Sequence, residues 1–332
     1  MNINSVFPRD NLVPIITPLL SNDTIDTNAI NQLLNFHITY METRALWVCG
    51  GIGLFFDLSD QQRLQVVDAF VQANQLYGNK LKIFAGATSE TATSTLENIK
   101  KMKEMGGVDG IFVAPLYFLS NDDDDEVRSF FKSARKMIGP NYPLILYNNP
   151  DFVRAVSFKE EVASKNFQPD VLQELKGTVS AVKDSSCNPT LFQQYTSTGI
   201  PVYTGEEGRL IDCLTKYGAH GCVAGLGNIS PTCVQITRLL HTTNGNSPPP
   251  DDAEKMELLS EKLKKECSAY WGIVHAHPDK KPVVVMAALL LDCLVQAGVL
   301  EDGSSTTSME NDFLTEKDRM MMKEAGLIPK TK

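Results

Sequence analysis

The chain has 332 residues, of which 42% are apolar and 21% charged, an ordinary composition for a folded, soluble protein and not for a disordered or fibrous one. Thirty-one basic against 40 acidic residues leave a formal charge of −9. That balance argues against a nucleic-acid partner, which needs basic surface to displace counterions, and against an anionic membrane, while leaving room for a small anionic substrate in a local cationic pocket. A chain of this length can bury a large core, and α/β barrels of about 250 residues fold as one unit.

Eight short, nearly continuous apolar runs follow one another: Val13–Thr17, Leu46–Cys49, Ile83–Gly86, Gly110–Ala114, Leu144–Tyr147, Val179–Lys183, Val202–Gly205 and Cys222–Gly225. Unbroken apolar runs are what parallel strands covered on both faces require. Between them the spacing is helical, as in Ile30-Leu33-Leu34-His37, Arg63-Val66-Val67-Phe70-Val71 and Val127-Phe130-Phe131-Ala134. Strand and helix alternating eight times predict a closed (β/α)8 barrel over residues 1–243. No GxGxxG follows the first strand and no GxxxxGK[ST] occurs, which lowers dinucleotide and P-loop alternatives.

The breaker-rich stretch Asn244–Asp252 then introduces helical segments, Ala253–Trp271 and Val283–Ala297, a polar loop, Glu301–Asn311, and a short last helix. Residues 244–332 are therefore expected to form a helical extension packed on the barrel. Pro282–Leu300 is apolar but borderline in length and contains Asp292 and Gln296, so it reads as a packed helix and not a membrane span. The acidic run Asp122–Glu126 suits a solvated helix start better than a metal site. The pair His275 and His277 lacks further ligands at zinc spacing. The seven cysteines, Cys49, Cys187, Cys213, Cys222, Cys233, Cys267 and Cys293, are scattered and odd in number, and the N-terminus MNINSVFPRD is not signal-like. They are expected to be reduced and mostly buried, in a cytoplasmic protein.

In such a barrel the chemistry lies at the C-terminal ends of the strands. Tyr147 closes the fifth run and Lys183 the sixth, so neighbouring strands would set them side by side over the barrel mouth. Burial lowers the pKa of a lysine, and a Schiff base needs the neutral amine. A phenol beside it can move protons as the carbinolamine dehydrates. The structural alternative for Lys183 is an ion pair with Asp184 or another rim carboxylate.

Five motifs in order carry a family resemblance: Val13-Pro14-Ile15-Ile16-Thr17-Pro18, Tyr147-Asn148-Asn149-Pro150, Lys183-Asp184-Ser185-Ser186, Gly205-Glu206-Glu207, and Gly218 through Gly225. On these the chain resembles the dihydrodipicolinate synthase / N-acetylneuraminate lyase family of pyruvate-dependent class I aldolases. The resemblance implies that Lys183 forms the Schiff base and that Tyr147 shuttles protons. It implies that Gly205 and Val223 line the keto-acid pocket, and that Tyr117 matches a second catalytic tyrosine often lent to a neighbouring subunit, in a dimer or tetramer. It implies a keto-acid substrate, with neither organic cofactor nor required metal.

Two departures stand out. Where the family usually reads G-[ST]-T-G-E, this chain has Gly50-Gly51-Ile52-Gly53-Leu54, which removes both hydroxyls and the acid. The substrate carboxylate would then rest on backbone N–H groups near Gly51 and Ile52. Where dihydrodipicolinate synthases carry a carboxylate-binding arginine, this chain has Phe152, with Arg154 two positions on. Arg154 is similar in placement to the hydratase-aldolase and hydroxypyrroline-carboxylate deaminase branches and is expected to meet a substrate carboxylate. The alternative to a Schiff-base lyase is a family member that binds keto acids without turnover.

Overall fold

The computed structural model describes residues 9–119, 124–150, 152, 166–242, 250–301, 303–306 and 313–331. The eight barrel strands are β1 (Asn11–Pro14), β2 (Ala45–Val48), β3 (Lys82–Gly86), β4 (Gly110–Val113), β5 (Leu144–Asn148), β6 (Ala181–Asp184), β7 (Val202–Thr204) and β8 (Gly221–Val223). They pair in parallel in that order and close where β1 meets β8, with Leu12 opposite Val223. Each expected apolar run yields one strand, and almost every strand residue is buried, as a sheet walled by helices demands.

The first strand is a correction. It spans Asn11–Pro14 and not Val13–Thr17. At its polar start the Asn11 side-chain oxygen accepts from the Ala224 N–H at 3.2 Å. Ile15 still donates its N–H to the Trp47 carbonyl of β2 at 3.1 Å, but the equally buried Ile16 and Thr17 lie outside the ladder, and Thr17 donates to the Gly53 carbonyl at 2.8 Å. Apolar character therefore marks burial here and does not mark pairing. The sixth strand likewise starts at Ala181, two residues later than Val179.

The barrel helices begin where side chains cap them. Helix α1 (Thr27–Thr39) is capped by Asp26, whose carboxylate accepts from Ala29 N at 2.9 Å. Helix α2 (Asp60–Leu76) starts with the Ser59–Gln62 capping box. The apolar stripes named above lie on the buried faces of α1, α2 and α4 (Asp124–Ile138), with α3 (Ala92–Met105) between the last two. Of the acidic run, Asp124, Asp125 and Glu126 form the first turn of α4, and Asp122 and Asp123 lie outside the described residues. Arg128 pairs with Asp125 at 2.9 Å and with Glu174 at 2.7 Å.

Helices α5 (Pro169–Glu174), α6 (Pro189–Ser197), α7 (Leu210–Thr215) and α8 (Thr232–Thr242) complete the barrel layer. The C-terminal segment folds as α9 (Pro250–Ala276), α10 (Pro282–Gln296) and α11 (Glu316–Ala325). Helix α9 is tied to the start of α8 by Glu266, a fully buried acid that accepts from Ser230 Oγ at 2.7 Å and Thr232 Oγ1 at 3.3 Å. His277 Nε2 lies 3.1 Å from Asp318 and so joins the end of α9 to α11. Ser305–Thr306 pairs antiparallel with Pro18–Leu19, close to β1. Among the described residues no group of three or more His, Cys, Asp or Glu is arranged to hold a metal, and no helix is long and apolar enough to cross a membrane. None of the seven cysteines is in a disulfide, and Cys187 alone of them is exposed.

Leu263 of α9 is 4% exposed and belongs to the same apolar core as the barrel strands. Leu263→Ala is expected to cost about 2–5 kcal/mol in urea unfolding while leaving one cooperative transition. An early transition confined to the extension would show that it melts on its own.

Candidate active site

Pairing of β5 with β6 places Tyr147 opposite Lys183, and β7 places Tyr203 on the other side of the lysine. Side chains alternate across a strand, so the flanking Asn148 and Asp184 face the other way. They bond each other there, with Asn148 Nδ2 donating to Asp184 at 2.7 Å, and Ser186 Oγ donates to the same carboxylate at 2.8 Å. Asp184 is thus occupied behind the strand, and Lys183 carries no ion pair among the described residues.

Lys183 is 6% exposed. Its Nζ sits 4.1 Å from the Tyr147 ring centroid and 4.5 Å from that of Trp47, a residue of β2. Trp47 in turn stacks on Phe112 at 4.4 Å and meets Tyr147 edge-on at 5.2 Å. Burial pulls the Lys183 amine down to about 7, against the opposing pull of Glu207 and Asp184. The aromatic faces also favour the ammonium, but such contacts are worth up to about 2 kcal/mol, less than the desolvation of a fully buried amine. The amine is therefore substantially neutral at physiological pH. Tyr147 is 5% exposed, and Asn149 Nδ2 donates to its hydroxyl at 3.0 Å.

Two glycines make room around the lysine. A Cβ on Gly205 would lie 2.0 Å from Ser185 Oγ and 3.1 Å from Lys183 Cε. A Cβ on Gly225 would lie 2.5 Å from Ile52 Cδ1, 3.1 Å from the Tyr270 hydroxyl and 3.4 Å from Glu207 Oε1. Glu207 follows β7, is fully buried, and accepts from the Leu226 N–H at 3.2 Å; burial raises its pKa. Tyr270 comes from α9, and its buried hydroxyl has no partner among the described residues. The C-terminal extension therefore walls one side of the site. Val223, buried at the end of β8, lies nearby.

The loop after β2 turns tightly, with Leu54 N donating to the Gly51 carbonyl at 2.9 Å and left-handed backbone at Cys49 and Leu54. The N–H groups of Gly51 and Ile52 donate to nothing among the described residues. Where a side chain at Gly51 would point, Phe152 stands instead, its Cζ 3.0 Å from the Cβ position. Phe152 packs on Tyr147 at 5.3 Å and on Phe55 at 5.5 Å, and Phe55 packs on Tyr117 at 5.1 Å. Two hydrocarbon rings thus separate the half-buried Tyr117 from Tyr147 within one chain.

Of the residues singled out from sequence, Lys183, Tyr147, Gly205, Ile52, Gly51 and Val223 gather at the mouth of the barrel. Tyr117 sits at its edge, and Arg154 lies outside the described residues. Trp47, Glu207, Tyr270 and Phe55 were not foreseen as site residues. The adjacent glycines at 50 and 51 were the one sequence signal for Trp47, since a Cβ on Gly50 would strike its ring at 3.0 Å. Neither Cys49 nor His37 offers reactive chemistry: burial raises the Cys49 thiol to about 12 and lowers His37 to about 3.

The site is thus a closed parallel barrel that sets a buried, depressed-pKa lysine beside a tyrosine on adjacent strand ends. Residues 8–273 match the model of the dihydrodipicolinate synthetase family, and the chain belongs to that family. It is 24% identical over 220 residues to the 4-hydroxy-tetrahydrodipicolinate synthase of Laribacter hongkongensis, covering 66% of this chain and 71% of that one. It is 26% identical to the enzyme of the same name from Rhodopseudomonas palustris, over 67% of this chain and 70% of that one. The fold superposes on a prophage protein of the dihydrodipicolinic acid synthase family from E. coli K12 in complex with pyruvate, with a TM-score of 0.74, 16% identity, and 96% and 99% of the two chains covered. It also superposes on N-acetylneuraminate lyase from Mycoplasma synoviae, with a TM-score of 0.72, 16% identity and 98% of both chains covered.

A lysine held near pKa 7 in the fold and near 10.5 when unfolded burdens stability below pH 7, and the burden fades between pH 7 and 10.5. Lys183→Met is accordingly expected to stabilise the protein by roughly 4 kcal/mol at pH 6, with the gain shrinking toward pH 10 in urea titrations.

Proposed function

We propose that the protein is a Schiff-base-forming lyase acting on pyruvate or a related 2-keto acid. The neutral amine of Lys183 adds to the C2 carbonyl, and the carbinolamine loses its hydroxyl as water with a proton supplied through Tyr147. The iminium then accepts the electron pair released when the bond beyond C3 breaks, giving an enamine and a carbonyl product. Run backward, the enamine adds to an aldehyde. Tyr147, oriented by Asn149, holds the moving proton at its hydroxyl oxygen. Gly205 leaves space for the adduct beside Lys183 Cε, and the N–H groups of Gly51 and Ile52 receive the carboxylate.

The observation that carries this reading is the buried, partly neutral Lys183 amine lying against the Tyr147 ring. The pyruvate held by the related E. coli protein supports the choice of first substrate. By its sequence position, Arg154 is proposed to hold a further carboxylate, and Tyr117 to serve a neighbouring subunit in a homo-oligomer.

The hydrocarbon rings between Tyr117 and Tyr147 favour one second reading, a keto-acid-binding protein without turnover. Borohydride reduction in the presence of pyruvate, followed by peptide mapping, is expected to leave a reduced pyruvyl adduct on Lys183. Lys183→Ala and Lys183→Arg are both expected to abolish it. Turnover should then appear with a member of a panel of 4-hydroxy-2-oxo acids, neuraminate, aspartate semialdehyde and hydroxypyrroline carboxylate, and fall about 10²–10⁴-fold in Tyr147→Phe. An adduct with no turnover on any of these would select the binding reading, and full activity of Lys183→Ala would refute both.

A further inference from the structure

The carboxylate of a keto acid bound at Lys183 meets a wall that has lost its side-chain hydroxyls. At Gly51 the vacated direction is filled by Phe152, and Ile52 turns an aliphatic end toward Gly225. A different side chain nearby has a donor to give. The indole of Trp47 is 3% exposed, and its Nε1–H meets no acceptor among the described residues, although buried donors are nearly always paired.

The position of the ring is over-determined. It is stacked on Phe112, covered by the side-chain-free Gly50, and set with Nε1 3.3 Å from the Cβ position of Gly86 at the end of β3. Its centroid is 4.5 Å from Lys183 Nζ. The amine lies over the face of the indole, and the carboxylate of an imine formed there is attached to the carbon bonded to Nζ, beside the same ring. An indole N–H donates and never accepts, so it favours an anion over a group that must itself donate.

Resting on the Schiff-base reading above, we infer that Trp47 is a substrate-binding residue whose indole N–H donates to the keto-acid carboxylate, together with the N–H groups of Gly51 and Ile52. It takes over the task of the missing hydroxyls from within β2, four residues before Gly51.

The test compares pyruvate with pyruvamide, which offers the same ketone without the negative charge. In Trp47→Phe the pyruvate concentration giving half-maximal borohydride trapping on Lys183 is expected to rise roughly 10- to 100-fold, the usual loss for a hydrogen bond to a charged group. The value for pyruvamide should change less than about twofold. Equal losses for both ligands would make Trp47 a packing residue for the lysine, and no loss for either would overturn the inference equally. A second measurement does not depend on that variant folding. Trp47 and Trp271 are the two tryptophans, so Trp271→Phe leaves one indole N–H signal. That signal is expected to move downfield in NMR when pyruvate is added and to stay in place with pyruvamide. An unmoved signal while the Lys183 adduct forms would contradict the inference. If wild-type protein forms no adduct with pyruvate, the Schiff-base reading itself fails, which is a separate outcome from wild-type trapping that Trp47→Phe leaves intact.

Discussion

The structure is organised around one costly act, the burial of a lysine amine inside an aromatic barrel. An ammonium removed from water loses several kcal/mol of hydration, and Lys183 escapes that loss by giving up its proton near neutral pH. The surrounding groups are consistent with that outcome. Asp184, the nearest carboxylate in sequence, is turned behind the strand and satisfied by Asn148 and Ser186. Glu207, the other acid acting on the amine, is itself buried, anchored on a backbone N–H and pushed toward its neutral form. What touches the amine directly is ring surface, from Trp47 and Tyr147. Gly50 keeps the Trp47 ring close, because a Cβ there would collide with it, and Gly205 leaves room beside the lysine, where a Cβ would meet Ser185 and Lys183 Cε.

The same preference for hydrocarbon reshapes the loop after β2. Among the described residues, the rings of Phe55 and Phe152 occupy the ground between Tyr147 and Tyr117. The Tyr147 hydroxyl accepts from Asn149 on its own segment. The opposite wall comes from α9, whose Tyr270 faces Gly225 and Glu207. The helical extension is therefore continuous with the site wall as well as with the core.

Much of the fold was legible in the sequence because parallel strands walled by helices must be apolar throughout, and the eight runs are separated by clear helical stripes. The pairing of Tyr147 with Lys183 followed from strand order alone. Strand ends were less legible. Residues 16 and 17 are as buried as any strand residue but lie outside the ladder, and Asn11 opens β1 although it is polar, its side-chain oxygen accepting from the Ala224 N–H beside the neighbouring strand. Trp47 escaped notice for a related reason. In a run buried on both faces, composition does not tell which residues point inward, and its neighbours Lys183 and Phe112 are remote in sequence. Phe152 was visible as a missing arginine, but only the folded chain brings its ring to the place left by Gly51. The role expected of Arg154 stays a matter of sequence, since that residue lies outside the described part of the structure.

The central claim is that folding lowers the basicity of Lys183, and a direct titration tests it. With ¹³Cε-labelled lysine, the Lys183 resonance is assigned by its loss in Lys183→Arg and followed from pH 5 to 11. The account predicts a midpoint near 7, set apart from the surface lysines near 10.5. A midpoint for Lys183 close to 10.5 would mean that the amine is charged at neutral pH, and would contradict the account.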